Sequence, residues 1–542
     1  MASVGLVSSR VGIVAIAVFA LVTRIFMSTN SYSGRDTPPS FGDYEAQRNW
    51  MSLTLNAPLS AWYTRSEDYW RLDYPPGSAY QSLLSGLIVR LFHPESVGEP
   101  LASRGVEDVR GKVGMRVSVL VGDLMVYVPG CLLYWWLCLR HGRTNEPARG
   151  RKAGRRKASS MGRGGTAGRA VPEQQQHDGD VFESDTPDSP DNPDNSENRS
   201  LVSLFWLLAN PALLLIDHGH FQYNSISLGC TVVATACVLQ IGNRAPMQAA
   251  TGRVSTFSWL VGAAFFFCMA LNHKQMTLYY APAFFVHLFT LSLCEETALG
   301  KVRVFGTLGM TVIGTFALLW APFGVRNLDG ARRILARIFP VQRGLYEDYV
   351  ANFWCVSSLV YKWRLKWDKG VLAALCLVAT MGACLPSFGL GVVGVRRKQR
   401  DAFVLMLAGV SLSFYLFSFQ VHEKSILMPL MAISMLGENK LTARMQSVGM
   451  MTMYPLLKKD GLVVPYWAMQ GLVAVVGGLD WPVHSALLVV HFVGAFVHVE
   501  SKPFLEDAVM MTAGFLFYVW VWFWLVWRMY RVVGWGTAGR SD

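Results

Sequence analysis

The chain has 542 residues, of which 52% are hydrophobic and only 16% are charged, against about 25% charged in an ordinary soluble domain. This composition excludes a soluble globular protein and predicts that most of the chain lies in a membrane. The formal net charge of +12 fits a membrane protein with basic cytoplasmic loops. It does not indicate nucleic-acid binding, because the basic residues are not interleaved with aromatic residues on a soluble domain.

Apolar runs long enough to cross a bilayer recur along most of the chain. Clear examples are residues 117–139, 254–271, 302–321 and 510–527. They are continuously apolar rather than alternating with polar residues, which favours helices over a barrel. The sequence therefore predicts an all-α polytopic membrane protein with about 11 to 14 transmembrane helices, each of about 20 residues.

The first apolar run, residues 11–22, follows Arg10 and is followed closely by Arg24. We interpret it as a signal anchor rather than a cleavable signal peptide, because Arg24 interrupts its end and no small-residue cleavage site is evident. The nine cysteines lie mostly inside apolar segments. They indicate small buried side chains rather than a disulfide framework.

One polar insert, residues 140–200, interrupts the apolar pattern. Ten Lys or Arg residues lie between positions 140 and 169, and nine Asp or Glu residues follow between positions 173 and 197. Such a segment is predicted to be disordered. Its basic block follows an apolar span directly, which places the insert in the cytoplasm.

This topology divides the chain into three parts. Residues 1–139 hold the first span, a non-cytoplasmic loop from about residue 29 to about residue 116, and the second span. Residues 140–200 form the insert, and residues 201–542 form the remaining helical domain. The apolar stretch 78–92 falls in the loop, so it predicts an amphipathic helix on the membrane surface rather than a span.

Four polar clusters interrupt the apolar surroundings, and ionisable groups at a membrane are functional candidates because their burial is costly. In chain order they are Asp43 with Glu45; Asp217, His218, His220, Gln222 and Asn224; Asn272, His273, Lys274 and Gln275; and His422, Glu423 and Lys424. A further polar stretch offers Arg343, Glu347 and Asp348.

The second cluster admits two interpretations. His218 and His220 could share one face of an extended segment and bind a metal, but further ligands are not evident nearby. We favour a hydrogen-bonding break between two spans, where a polar sugar could be held. The sequence therefore predicts no metal site and no cofactor.

The cationic residues also admit two interpretations. His422 and Lys424 could be a helix end that reaches toward the membrane interface, or donors to a phosphate group. The same alternatives apply to Lys274. Arg343 could bind phosphate or pair with the acidic residues that follow it.

The chain has no G-x-x-x-x-G-K-[ST] motif and no strand followed by G-x-G-x-x-G, which argues against an ATP-driven pump. A transporter and an enzyme acting on membrane-borne substrates remain. A transporter would favour repeated halves and charges near the middle of the membrane. We find no internal repeat and the polar clusters lie at the edges of spans, so the sequence favours an enzyme, with a transporter as the alternative.

Seven motifs in one order resemble a known enzyme family. They are GDYEAQRNW, LDYPPGSAY, DHGHFQYNS, NHKQM, RGLYEDYVANFWC, FSFQVHEKSIL and YPLLKKDGLVVPY. Together they are similar to the alpha-1,3-glucosyltransferases of the endoplasmic reticulum that act on the lipid-linked oligosaccharide of N-glycosylation. The resemblance runs from residue 11 to residue 530, apart from the insert.

This family contains two sister enzymes, which add the first and the second glucose. GDYEAQR and HGHFQYNS resemble the first-glucose enzyme, whereas Asn49 stands where that enzyme usually has His and so resembles the sister. Transfer of the first glucose is the favoured interpretation. Transfer of the second stays open as the alternative.

The resemblance implies a C-type glycosyltransferase (GT-C) fold with the active site on the lumenal side of the endoplasmic reticulum membrane. The implied donor is dolichyl phosphate glucose. The implied acceptor is a dolichyl-diphosphate-linked glycan with nine mannoses, and the implied reaction inverts the anomeric configuration.

An in-line attack on the donor sugar needs a general base for the incoming hydroxyl group. Because phosphate is already a good leaving group, cations that stabilise it take the place of the general acid. Asp43 matches the family's loop aspartate and is the predicted base. The donor phosphate is assigned to a subset of His422, Lys424, Lys274 and Arg343. Substrate contacts are assigned to Glu45, Asp217, His218, His220 and Gln222.

Two structural roles compete with these assignments. Asp43 could instead cap a helix, although Ala46 stands where a capping box would need Glu or Gln. Glu45 and Arg48 could fix the loop as partners.

Overall fold

The computed structural model describes residues 2–39, 41–65, 69–140, 193–241, 256–323, 328–339, 344–345, 349–496 and 504–534. Nine helices in these ranges are long and apolar enough to cross a membrane: Arg10–Thr29, Val109–Leu139, Glu197–Phe221, Asn224–Ile241, Thr256–His273, Gln275–Leu293, Ala298–Phe323, Lys369–Arg396 and Leu505–Val533. Three shorter apolar helices join them: Asp401–Phe417, Val463–Gly477 and Trp481–Val493. The prediction of an all-α polytopic membrane protein is confirmed.

Further helices complete the described fold. Two lie between the first two spans, Gly42–Asn56 and Pro76–Phe92, and the first span itself belongs to the helix Ala2–Thr29. The others are Pro193–Leu208, Leu328–Ile338, Leu427–Met435, Asn439–Thr452 and Tyr454–Lys459, with short turns at Phe353–Ser357 and Trp363–Lys366.

The helix that contains the second span begins before the span predicted from the sequence. Its first helical residue is Val109, and the loop boundary near residue 116 stays a prediction. The Asp108 carboxylate accepts hydrogen bonds from the backbone N–H groups of Arg110 at 2.7 Å and Gly111 at 3.1 Å. This cap satisfies two of the free donors at the start of the helix, which fixes the boundary there.

Residues 141–192 of the insert, with the disorder predicted for them, lie outside the described residues. Residues 193–200, at the end of the predicted insert, are helical and belong to Pro193–Leu208. The indole N–H of Trp135 donates to the carbonyl of Ser200 at 2.9 Å, which joins this helix to the second span.

The two helices of the first loop pack against each other. A Cβ on Gly86 would stand 2.9 Å from Leu55 Cδ1, so this glycine allows their close approach. On the outer face of Pro76–Phe92, Leu84 is 64% exposed, and Leu87 and Leu91 are exposed as well. An apolar outer face over a buried face of small residues is the amphipathic helix that the sequence predicts.

The LDYPPG turn fixes this helix to the membrane helices. A Cβ on Gly77 would stand 2.5 Å from the carbonyl oxygen of Asn272, and the Ser78 hydroxyl donates to the carbonyl of His273. The turn therefore packs directly on the NHKQM motif, which brings the loop and Lys274 into one region.

Candidate active site

Asp43 lies in the first turn of the helix Gly42–Asn56, where the backbone is tightly wound. Phe41 and Gly42 both adopt positive φ, at 55° and 61°, and a Cβ on Gly34 would overlap the Phe41 backbone. Only glycine tolerates that approach at low cost. The backbone N–H of Asp43 donates to Ser33 Oγ at 3.2 Å, so the start of the helix is held from outside.

The capping role considered for Asp43 is wrong. The residue at the cap position is Phe41, and the described start of this helix has no side-chain cap hydrogen bond. The Asp43 carboxylate instead meets side chains from distant parts of the chain, because its position in the first turn directs it away from the helix axis.

Three donors converge on one oxygen, Asp43 Oδ2. Lys424 Nζ lies at 2.6 Å, Gln222 Nε2 at 2.6 Å and His220 Nε2 at 3.0 Å. The side chain of Asp43 is nevertheless 30% exposed to solvent. Burial raises the pKa of Asp43, but the charge of Lys424 and the hydrogen bond from His220 outweigh it and hold the pKa well below its ordinary value. The site therefore contains an accessible, ionised carboxylate.

Lys424 supplies the positive charge of the site from the single turn Glu423–Ile426. Burial lowers the pKa of Lys424, but the charges of Asp43 and Glu423 outweigh it and leave the pKa above its ordinary value. Lys424 is therefore a protonated donor. His422 directly precedes this turn and is half-buried. The phosphate contact predicted for it stays a prediction.

Gln222 is oriented by a chain of hydrogen bonds behind the site. Lys274 Nζ donates to Gln222 Oε1 at 2.8 Å and to Asn224 Oδ1 at 2.5 Å. Because an amide oxygen only accepts, this hydrogen bond fixes the oxygen of Gln222 toward Lys274 and the N–H₂ toward Asp43. Burial lowers the pKa of Lys274 to about 7, despite the opposing charge of Asp217. These contacts favour an orienting role for Lys274 over the predicted phosphate contact.

Asp217 belongs to the framework of the same motif. It is fully buried, and its two oxygens accept from Asn224 Nδ2 at 2.6 Å and from the backbone N–H of Ser225 at 2.7 Å. This network holds together the turn that joins Glu197–Phe221 to Asn224–Ile241. These contacts favour a structural role for Asp217, and the substrate contact predicted for it stays a prediction.

His218 and His220 contact different partners. His218 Nε2 lies 3.0 Å from Asp123 Oδ2, and Arg24 Nε donates to the same oxygen at 2.5 Å. His218 is 1% exposed and Asp123 2%, which favours a structural role for His218, and the substrate contact predicted for it stays a prediction. Among the described residues no group of three or more His, Cys, Asp or Glu side chains is arranged to hold a metal ion.

The side chain of Glu45 is also enclosed by the protein. Its two carboxylate oxygens accept from Arg48 Nε and Nη2, both at 2.7 Å, and the side chain is only 3% exposed. Arg48 Nη1 donates further to the carbonyl of Ser96 at 2.8 Å and to Ser103 Oγ at 2.7 Å. These contacts agree with the loop-fixing role, and the substrate contact of Glu45 stays a prediction.

Arg343, Glu347 and Asp348 lie outside the described residues, so the phosphate contact of Arg343 stays a prediction. Two carboxylates that received no role from the sequence are important in the structure. Asp460 Oδ2 lies 2.5 Å from His220 Nδ1, and Asp123 forms the centre of the cluster around His218. Asp123 interrupts an apolar run, and that signal could have identified it.

Comparison with known proteins agrees with this architecture. Residues 14–155 and 184–531 match the ALG6, ALG8 glycosyltransferase family. The chain is 35% identical to the Arabidopsis thaliana protein named probable dolichyl pyrophosphate Man9GlcNAc2 alpha-1,3-glucosyltransferase, over 93% of this chain and 87% of the relative. It is 33% identical to the Saccharomyces cerevisiae dolichyl pyrophosphate Man9GlcNAc2 alpha-1,3-glucosyltransferase, over 83% of this chain and 71% of the relative.

The chain therefore belongs to the ALG6, ALG8 glycosyltransferase family. This membership confirms the resemblance and the GT-C fold that it implies.

Proposed function

We propose that this protein transfers glucose from dolichyl phosphate glucose, in alpha-1,3 linkage and with inversion, onto the dolichyl-diphosphate-linked Man9GlcNAc2 oligosaccharide. The family and the names of its relatives support the reaction and the acceptor. The observation that carries the assignment to a site is the carboxylate of Asp43, which is 30% exposed and lies 2.6 Å from Lys424 Nζ.

In this mechanism Asp43 is the general base. It accepts the proton of the mannose hydroxyl while that oxygen attacks the anomeric carbon of the donor glucose. The bond from this carbon to the phosphate oxygen breaks, and its electron pair leaves with dolichyl phosphate. A single in-line displacement inverts the configuration.

Lys424 connects the base to the leaving group. Without donor it is bound to Asp43 Oδ2 at 2.6 Å, which holds the pKa of Asp43 low. A donor phosphate is a second anionic partner for the same ammonium group. When Lys424 turns toward that phosphate, the carboxylate loses a stabilising charge and becomes more basic. His422 and Arg343 are further candidate partners of the phosphate.

The location proposed for this reaction is the lumenal face of the endoplasmic reticulum membrane. The basic block at residues 140–169 supports a cytoplasmic insert. The site lies at the opposite ends of the neighbouring spans, under the first loop. The exposed leucines of Pro76–Phe92 suit a membrane surface, where both lipid-borne substrates present their head groups.

The test uses microsomes that lack the endogenous activity and contain this protein. They receive dolichyl phosphate glucose and either the nine-mannose lipid or the same lipid already carrying one glucose. Extension of the first acceptor alone supports the proposal, and extension of the second alone assigns the chain to the sister activity. A transporter extends neither, and microsomes containing Asp43→Asn are the control for contaminating activity.

A further inference from the structure

Asp460 stands at the end of the short helix Tyr454–Lys459, in a motif to which the mechanism above gives no role. A carboxylate at the carboxyl end of a helix is electrostatically unfavourable. Its neighbours Lys458 and Lys459 are exposed, yet the side chain of Asp460 is only 3% exposed. Helix stability therefore does not explain why an acidic residue occupies position 460. We look for the explanation in the residues that Asp460 contacts.

The chain is folded so that Asp460 meets His220. Gly461 has a φ of 74° and closes the helix, with the N–H of Leu462 donating to the carbonyl of Leu457 at 2.8 Å. Leu462 then packs on Gly219, where a Cβ would stand 2.9 Å from Leu462 Cδ1. The glycine between the two histidines of HGHF thus permits a close approach that places Asp460 beside His220.

His220 lies between two carboxylates. Its Nδ1 is 2.5 Å from Asp460 Oδ2 and its Nε2 is 3.0 Å from Asp43 Oδ2, with 2% of the imidazole exposed. Ionised carboxylates only accept hydrogen bonds, so each ring nitrogen that faces one must donate. Lys424 Nζ lies 3.3 Å from Nε2, so two acids and two cationic groups lie close together in one cluster.

The backbone around His220 is already held by other contacts. Arg116 Nη2 donates to the carbonyl of Gly219 at 2.8 Å and to that of Ser31 at 2.9 Å. The backbone N–H of Ser33 donates to the carbonyl of His220 at 3.0 Å. The carboxylate of Asp460 is therefore not needed to place this backbone, and what it adds is the orientation of the ring.

We propose that Asp460 is a positioning residue for the glycosyl transfer, which acts through His220 by holding its imidazole as a hydrogen-bond donor to Asp43. Asp43 depends on this hydrogen bond when Lys424 turns to the donor phosphate, because Asp43 Oδ2 then loses its closest cationic partner. His220, held from behind by Asp460, keeps Oδ2 in place and leaves Oδ1 directed at the acceptor hydroxyl. This inference rests on the proposed function.

The experiment measures steady-state kinetics of purified full-length protein with dolichyl phosphate glucose and the nine-mannose lipid. Asp460→Asn keeps the size of the side chain but removes its charge. We expect kcat per folded molecule to fall at least about tenfold, because small misplacement of a base is costly, with KM for both lipids within about twofold. Asp460→Glu restores the charge and should recover part of the lost kcat.

The matched control is Asp480→Asn. Asp480 also forms an ion pair, with Arg444 Nε at 2.6 Å, but it contacts no residue of the site described above. Its kcat should equal that of the wild type. A purely structural role of Asp460 would lower the yield or the melting temperature of the variant and leave kcat per folded molecule unchanged.

Three outcomes overturn the inference: wild-type kcat in folded Asp460→Asn, a rise in KM without a fall in kcat, or equal losses in Asp460→Asn and Asp480→Asn. If Asp460→Asn does not fold, Asp460→Glu carries the test, since moving the carboxylate by one methylene should lower kcat at constant KM. Wild-type kcat in that variant would then refute the inference. Failure of the wild-type protein to extend the acceptor would instead refute the proposed function itself.

Discussion

The two histidines of the HGHF motif belong to two different charge clusters. His218 lies with Arg24 and Asp123 in a closed cluster between membrane helices, where these side chains are 1–2% exposed. His220 lies with Asp43, Lys424 and Asp460 in an open cluster, where Asp43 is 30% exposed. Residues two positions apart therefore serve different purposes.

The difference lies in what holds the cation of each cluster. Arg24 donates to Asp123 and also to the backbone carbonyls of Ala20 at 3.0 Å and Leu208 at 2.9 Å, so its guanidinium is fixed. The ammonium of Lys424 is held by a side chain instead, the carboxylate of Asp43 at 2.6 Å. The closed cluster therefore stabilises the fold, whereas the open cluster has an exposed carboxylate and a cation that can change partners.

Removing the base of the open cluster should have the largest effect. Asp43→Asn keeps the shape of the side chain but cannot accept the acceptor proton, so kcat should fall by about 10²- to 10⁴-fold. Glucosylated lipid formed per folded molecule is the measurement. Asp36→Asn is the control, because Asp36 is an exposed acid of the same loop. Turnover within about tenfold of wild type, about 1.4 kcal/mol in the barrier, would show that Asp43 is not the base.

Breaking the closed cluster should act on stability instead. Arg24→Met leaves Asp123 buried without its closest cation, which should cost about 3 to 5 kcal/mol of unfolding free energy. Thermal unfolding in detergent measures the loss, and kcat per folded molecule should stay at the wild-type value. The double variant Arg24→Met/Asp123→Leu removes both charges and should recover much of the stability. A loss of kcat without a loss of stability would contradict the division into two clusters.

Removing the movable cation should change both binding and pH dependence. Lys424→Met should lower kcat/KM for the donor about tenfold, the contribution of one charge-assisted hydrogen bond. Asp43 acts in its ionised form, so activity is present above its pKa and is lost as the pH falls through it. Without the Lys424 charge that holds this pKa low, the acidic limb of the pH–rate profile should move to higher pH.

The exposed Lys459 provides the control for this variant. Lys459→Met removes one lysine close to the site in sequence without removing a contact to Asp43. It should keep both kcat/KM and the acidic limb of the wild type. An unmoved acidic limb in Lys424→Met would show that Lys424 does not control the ionisation of Asp43.

The sequence predicts the helical class, the amphipathic loop helix at residues 78–92 and three members of the open cluster, Asp43, His220 and Lys424, because apolar length and isolated charges are local signals. It does not separate His218 from His220, since their roles depend on Asp123 and Asp460, far away in the chain. The role of Glu45 is equally hard to predict from the sequence. Its charge suggests a substrate contact, but its enclosure by Arg48, Ser96 and Ser103 is visible only in the folded structure. Arg343 stays a prediction, because it lies outside the described residues.

The smallest effect is expected at Asn49, the position that resembles the sister enzyme. Asn49 Nδ2 donates to the carbonyl of Trp70 at 2.9 Å, and the residue is 5% exposed. Like Glu45 it belongs to the closed interior of the loop, so Asn49→Ala should cost about 1 kcal/mol of stability and leave acceptor preference unchanged.

The control for Asn49→Ala comes from the same helix. Asn56 Nδ2 also donates to backbone carbonyls, those of Ser52 at 2.8 Å and Val97 at 2.9 Å, so Asn56→Ala should behave alike. The measurement is the ratio of extension of the nine-mannose lipid to extension of the lipid already carrying one glucose. A change of this ratio in Asn49→Ala but not in Asn56→Ala would mean that an enclosed residue selects the acceptor, and exposure would then fail to separate structural from functional residues in this loop.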